Sequence, residues 1–171
     1  MNAPAPTGEW TLESLRADHA PALLAFERQN RSYFARSVPD RGDAYFACFA
    51  DRHRALLAEQ ETGLSRFHVL VTGHGALAGR VNLVDIEDGS AELGYRIGEH
   101  AAGRGLATAA VAEICRMAQG AYGLSRLTAV TTLDNPGSMT VLQRNGFTQV
   151  ETMTVDGRPG LRYERPLTPA D

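Results

Sequence analysis

Residues 91–108, AELGYRIGEHAAGRGLAT, decide the fold: an alternating run from Ala91 to Ile97 meets a glycine-bearing turn, and the turn opens an amphipathic helix. Successive side chains of a strand point to opposite faces, so Leu93 and Tyr95 fall on one face and Glu92 and Arg96 on the other. The spacing then predicts a helix over Gly105 to Tyr122, with Ala107, Val111, Ile114, Cys115 and Ala118 on the stripe that lies on a sheet and Gly123 as its stop. Between strand and helix stands Gly103-Arg104-Gly105-Leu106-Ala107-Thr108. Its glycines leave backbone N–H groups unshielded, the helix N-terminus carries partial positive charge and Arg104 adds a full one, which together suit a phosphate or pyrophosphate. The same hexapeptide also reads as a plain turn that needs glycine for positive φ. It is neither the dinucleotide GxGxxG nor the GxxxxGK[ST] phosphate loop, which disfavours ordinary NAD and ATP sites.

Toward the N-terminus, Asp88-Gly89 marks a tight turn, preceded by a strand over Leu77 to Asp85, a turn at His74-Gly75 and a strand over Phe67 to Thr72. With Ala91 to Ile97 these make three consecutive antiparallel strands. Further back, a strand is expected over Trp10 to Arg16, with Asp18 as N-cap of a helix that carries Ala22, Leu23 and Phe26 at helical spacing. A polar, aromatic run from Asn30 to Phe46 reads as loop, and a second helix is expected from about Asp43 to Glu61. On the C-terminal side come a strand over Leu127 to Thr132 and a helix over Pro136 to Asn145, with Asn135 as N-cap and Gly146 just past its end. Two last strands follow around Phe147 to Val155 and Leu161 to Pro166. The order βααβββαβαββ describes an α+β fold with a mostly antiparallel sheet and one parallel strand pair flanking the Gly105 helix. No internal repeat or linker interrupts it, so residues 9–171 are expected to form one domain behind a frayed tail, MNAPAPTG, at 1–8.

The composition, 43% hydrophobic and 22% charged over 171 residues, excludes the disordered and collagen-like classes. A formal charge of -3, from 17 basic residues that are all arginine and 20 acidic ones, argues against a nucleic-acid partner. No stretch approaches the roughly 18 apolar residues of a membrane span and no export signal leads the chain, so a cytoplasmic protein without a membrane partner is expected. Cys48 and Cys115 are too far apart for a metal motif and read as reduced thiols, and the five histidines lack ligand spacing, so no metal is expected.

The turn, its flanking strand and helix, and the later Asn135-x-x-Ser138-x-x-Val141-Leu142-x-x-x-Gly146-Phe147 together resemble the GNAT superfamily of acyl-CoA-dependent N-acetyltransferases, in its RimJ/RimL-type branch. The family's Q/R-x-x-G-x-G/A acetyl-CoA motif corresponds to Ala102-Gly103-Arg104-Gly105-Leu106-Ala107, which keeps both small residues but has alanine in the Q/R place. Asn30 to Phe46 also looks like that branch, so the resemblance covers nearly the whole chain.

The resemblance implies a GNAT fold in which the strand before the turn splays from the next parallel strand, and the pantetheine arm of acetyl-CoA adds to the open edge. Leu93, Tyr95 and Ile97 would line that edge. Backbone N–H groups of Gly103, Arg104, Gly105, Leu106, Ala107 and Thr108 would hold the pyrophosphate, Asn135 would touch the pantetheine and Ser138 would sit near the thioester sulfur. Asn135 also reads as a plain N-cap and Ser138 as a first-turn polar residue.

Acetyl transfer requires a neutral amine and a protonated or stabilised thiolate leaving group. Glu92 is the first candidate base, with an ion pair to Arg96 as the structural alternative; Asp156 and Glu151 are further acidic candidates. Leu142 occupies the place of the general-acid tyrosine of other branches, which leaves Ser138 as proton donor. Asn30, Tyr33, Phe34 and Tyr45 are the candidate acceptor-binding residues, with core packing as the alternative for Tyr33 and Phe34. The implied reaction moves an acetyl group to a protein N-terminal α-amine or a small-molecule amine in a ternary complex. A catalytically silent CoA-binding sensor or an unrelated phosphate-binding domain are the rivals. Homodimers are common in the superfamily, and no residue here fixes one.

Overall fold

The computed structural model describes residues 9–168, so the tail expected at 1–8 lies outside the described residues. One mixed sheet of seven strands runs through it, in the order β1-β2-β3-β4-β5-β7-β6. Its strands are β1 (Trp10–Ser14), β2 (Arg66–Thr72), β3 (Leu77–Glu87), β4 (Ser90–Ile97), β5 (Arg126–Thr132), β6 (Thr148–Val155) and β7 (Arg158–Pro166). Every neighbouring pair is antiparallel except β4 and β5, which need a helical crossover. That crossover is α5 (Leu106–Gln119), and α6 (Pro136–Arg144) follows β5. On the other side of the sheet lie α1 (Ala20–Gln29), α2 (Arg31–Phe34), α3 (Asp43–Ala47) and α4 (Phe49–Thr62).

The alternation of the strands builds two apolar layers. Val111, Ile114 and Ala118 of α5 press on Val81, Leu83, Leu93 and Leu127, all buried. Leu23 and Phe26 of α1 and Phe49 of α4 pack with Phe67 and Val69 on the opposite face. The predicted stripe of α5 is rotated slightly at its start: Leu106 and Ala110 take the core positions, while Ala107 is only half-buried. The helix closes at Gly120, and Gly123, with φ 61°, turns the chain three residues later.

Three local expectations are corrected. Asp18 does not cap a helix: it lies inside a 3-10 turn, Ala17–His19, exposed and 3.0 Å from Arg16, while the Arg16 N–H donates to His19 Nδ1 at 2.9 Å. The helix expected from Asp43 to Glu61 is broken at Cys48, whose φ of -106° and ψ of 21° separate α3 from α4. Within the loop expected after Asn30, Arg31–Phe34 makes one helical turn, α2, because Phe34 finds a buried seat against Phe26, ring centroids 5.6 Å apart.

Two features of the sheet position the site. The β4–β5 ladder holds only from Ser90↔Arg126 to Glu92↔Thr128, although β4 continues to Ile97 and β5 to Thr132. Beyond Glu92 the strands diverge and the sheet is split. At the same level β3 carries a bulge between Val84, the ladder partner of Glu92, and Glu87, with Asp85 in the bulge at φ 52°.

Candidate active site

Gly103 and Gly105 both have positive φ, 75° and 77°, and a Cβ added at either would meet nothing within 4 Å. Such a turn leaves its N–H groups bare. None of the backbone N–H groups from Gly103 to Thr108 finds an acceptor in normal hydrogen-bond geometry among the described residues, and the first bond of α5 is Ala109 N–H to Gly105 O at 3.0 Å. A run of unsatisfied donors at the N-terminus of a 14-residue helix fits a pyrophosphate. Between this turn and the split sheet lies a groove of about 540 Å³, bordered by Tyr95, Ile97 and Ala107 on one side and by Asn135, Ser138 and Arg144 of the α6 region on the other. Beyond Glu92 the edge of β4 toward β5 is open, a shape that suits an extended, strand-like ligand.

At the inner end of the groove two hydroxyls meet. Tyr95 Oη lies 3.1 Å from Ser138 Oγ, and Tyr95 also donates toward Ser138 O at 3.4 Å. Burial pushes the Tyr95 phenol above its ordinary pKa, against the hydrogen bond with Ser138, so the phenol keeps its proton at neutral pH. Asn135 caps α6, its Oδ1 accepting the Ser138 N–H at 3.2 Å, while Asn135 also lines the groove. The cap therefore fixes the first turn that carries Ser138.

At the apex of the split, on the face of β4 opposite Tyr95 and outside the lining of the groove, Glu92 is half-buried at the last rung of the parallel ladder. Burial raises its carboxyl above the usual range, the negative charge of Asp85 adds to this, and Arg162 opposes both. Glu92 makes no ion pair with Arg96, whose guanidinium goes instead to Glu27, 3.4 Å away.

Residues 10–148 match the family described as Acetyltransferase (GNAT) domain. The chain belongs to the GNAT family. By family it is an enzyme, an acetyl-CoA-dependent amine acetyltransferase. Among solved structures, the GNAT chain is similar to the ribosomal-protein-S5-alanine acetyltransferase of Vibrio fischeri, at 19% identity and TM-score 0.85, over 92% of this chain and 93% of that one. It is similar to RimJ of Mycobacterium smegmatis in complex with CoA-disulfide, at 23% identity and TM-score 0.84, over 94% and 83% of the two chains. A third likeness is the spermidine N-acetyltransferase of Vibrio cholerae in complex with CoA and spermine, at 17% identity and TM-score 0.76, over 92% and 95%. No curated protein matches the chain significantly. Among the described residues, no group of three or more His, Cys, Asp or Glu side chains is gathered as metal ligands, and no helix is long and apolar enough to cross a membrane.

The GNAT groove gathers most, not all, of the residues singled out in the sequence. Tyr33 and Phe34 of α2 wall it, together with Tyr95, Ile97, Leu106 and Thr108. Leu93 does not line it, being sealed under α5 at 4% exposure, and the Arg104 side chain borders a separate cleft near Trp10 and His100. Asn30 borders that same cleft and bridges two elements, its Nδ2 donating to Phe26 O at 2.9 Å and its Oδ1 accepting from Glu99 N–H at 2.9 Å. Tyr45 is buried between Phe46 and Phe49, with its hydroxyl 3.3 Å from Arg80. Of the other acidic candidates, Glu151 pairs with Arg162 at 3.1 Å and Asp156 occupies the β6–β7 turn at φ 50°.

Sequence reading missed the cluster beside α2. Glu27 of α1, 1% exposed, accepts from Arg80 Nη1 at 2.9 Å, from Arg41 Nε and Nη2 at 3.3 Å, and from Arg96 Nη1 at 3.4 Å. Burial alone would raise the Glu27 carboxyl, but the three guanidinium groups outweigh it and hold the carboxyl below its usual range. The one sequence signal was a carboxylate at position 27 on the apolar stripe between Phe26 and Asn30.

Proposed function

We propose that this enzyme transfers the acetyl group of acetyl-CoA to a primary amine by direct attack in a ternary complex, with the N-terminal α-amine of a protein as the acceptor, as in the RimJ/RimL-type branch. The observation that carries this is the split sheet: free N–H donors at one end of the groove, the Tyr95–Ser138 pair at its inner end, and Glu92 at the apex of the split. When bound, acetyl-CoA supplies an activated acetyl group and a thiol leaving group. Glu92 takes a proton from the incoming ammonium and so frees the lone pair that attacks the thioester carbon, a task for which a carboxyl held above its usual range by burial and Asp85 is suited. An α-amine of pKa about 8 needs only modest help at neutral pH. As the C–S bond breaks, Ser138 Oγ delivers a proton to the departing sulfur while taking one from Tyr95 Oη, 3.1 Å away, and the proton shed by the nitrogen as the amide forms restores the phenol. Tyr33 and Phe34 form the wall against which the acceptor lies, and the proposed setting is the cytoplasm.

The test is thiol release from acetyl-CoA with a panel of N-terminal peptides and small amines, comparing wild type with Glu92→Gln. Wild type is expected to acetylate at least one peptide, and Glu92→Gln to lower kcat by about 100-fold while still binding acetyl-CoA. Calorimetric binding of acetyl-CoA with no thiol release for any amine would instead identify a silent CoA-binding module of the same fold.

A further inference from the structure

Two other features of the fold are closed on themselves. The cleft of about 870 Å³ near Trp10 and His100 has its one deeply buried polar side chain, Asn30, already bonded on both amide atoms, so nothing there points to a ligand. Buried His68 is likewise satisfied by Val81 O and Tyr122 Oη.

The arginine cluster is different, because its charges do not balance. Glu27 faces Arg41, Arg80 and Arg96, and Arg52 lies over the Tyr45 ring at 5.5 Å. The neighbouring Arg31 is matched separately by Asp40 and Asp43, each at 2.8 Å. A single buried carboxylate is thus left to offset several guanidinium groups. Arg80 is sealed, its side chain 6% exposed, whereas Arg96 keeps 23% and borders the groove that also holds Tyr95 and Ser138. The Arg96 guanidinium lies over the Phe34 ring, its Cζ 4.7 Å from the centroid, with Nη1 on Glu27 and with Nε and Nη2 free of any acceptor among the described residues. A guanidinium anchored on one nitrogen and with two free donors matches a carboxylate bidentately. Burial and the like charges of Arg41 and Arg80 depress the Arg96 pKa against the pull of Glu27, so an added anion relieves repulsion already present.

Position then selects the kind of carboxylate. Glu92 and Arg96 share a face of β4, four residues and therefore about 13 Å apart at their Cα atoms. Gly94 lies between them, and a Cβ there would meet nothing within 4 Å, which leaves an open floor. A free α-amino acid, with amine and carboxylate on one carbon, is too short to reach both groups. A peptide advances about 3.3–3.6 Å per residue and spans the gap within its first few residues.

We propose that the acceptor is an N-terminal peptide with an aspartate or glutamate among its first residues, the α-amine at Glu92 and the acidic side chain on Arg96. The proposal rests on the reading of the groove as an amine-acetylation site, and it disfavours polyamines, which would bring positive charge to Arg96.

The test uses peptides of one sequence with Asp, Asn or Lys at the second or third position, alongside spermidine, in the thiol-release assay with wild type, Arg96→Gln and Arg96→Lys. For wild type, kcat/KM for the better-placed Asp peptide is expected to exceed that of its Asn twin by about tenfold, with Lys and spermidine lowest. In Arg96→Gln, with its fold checked by circular dichroism, that ratio should fall to within about twofold, and Arg96→Lys should recover part of it. Equal rates for Asp and Asn peptides in wild type, a preference for spermidine, or an unchanged ratio in Arg96→Gln would overturn the proposal. If no amine is acetylated at all, titrating the same peptides into the CoA-loaded protein separates the two readings. Tighter binding of the Asp peptide keeps the arginine assignment while acetyl transfer fails, and equal affinities remove both.

Discussion

The two sides of the split sheet are built by opposite means. On the α5 side the site is made of backbone, a turn at Gly103 and Gly105 that presents bare N–H groups over six consecutive residues. On the α1–α2 side it is made of side chains, with Glu27, Arg41, Arg80 and Arg96 converging from α1, the α2–α3 loop, β3 and β4. A backbone site tolerates changes of side chain and recognises one invariant shape, a pyrophosphate. A side-chain site is costly to assemble but can be altered residue by residue, which is the property an acceptor pocket needs.

The sharpest way to break this contrast is to remove the centre of the side-chain half. Glu27→Ala leaves Arg80 sealed beside two like charges, and loss of one member of a buried charged cluster costs about 3–5 kcal/mol. For a chain of this size that is a fall in Tm of about 10 °C, read by thermal unfolding. A melting point within about 2 °C of wild type would mean that Glu27 does not hold the cluster together.

On the backbone half the expected loss falls on binding rather than on stability. Gly105→Asp places a carboxylate at the bare N–H groups and a Cβ on a φ of 77°, and acetyl-CoA affinity by calorimetry should drop about 100-fold. Gly105→Ala should lose only about tenfold, since it adds no charge and its Cβ meets open space, and the loss comes from the free turn relaxing away from the left-handed φ, which must be restored on binding at a cost of about 1–2 kcal/mol. Equal effects from the two variants would show that conformation, not anion binding, is what the turn contributes.

The same contrast explains what could be read in advance. Seven strands, the helix after Gly105, the cap at Asn135 and the glycine turn at Gly103 and Gly105 were all legible, because periodicity, capping and glycine placement are local in sequence. The break at Cys48 and the one-turn helix α2 were not, since both follow from how Phe34 and Phe49 seat in the second apolar layer. Asn30 and Tyr45 looked like acceptor residues by type, yet their polar atoms serve Phe26, Glu99 and Arg80. Nor could the sequence settle the partner of Arg96, because Glu92 is four positions away and Glu27 sixty-nine. Which of the two it faces depends on α1 crossing the sheet.

The smallest predicted effect tests whether Glu92 belongs with the side-chain half as a working base. As an ionised base it loses function as pH falls through its raised pKa, so the acid limb of kcat/KM should report that group. Asp85→Asn removes a negative charge that favours the protonated form, which should move the limb to lower pH; Arg162→Gln should move it upward. Stability has the opposite sense to that of an ordinary paired carboxylate. A folded-state pKa above the unfolded one means that the ionised form is disfavoured by folding, so the cost is present above the folded pKa and is relieved as pH falls through it. At neutral pH, Asp85→Asn should therefore leave the melting point equal to or slightly above that of wild type. Gly105→Ala, acting on the backbone half, should raise KM for acetyl-CoA and leave the limb in place. A limb that ignored Asp85 and Arg162 but followed Gly105 would take Glu92 out of the proton path and leave deprotonation of the amine to solvent.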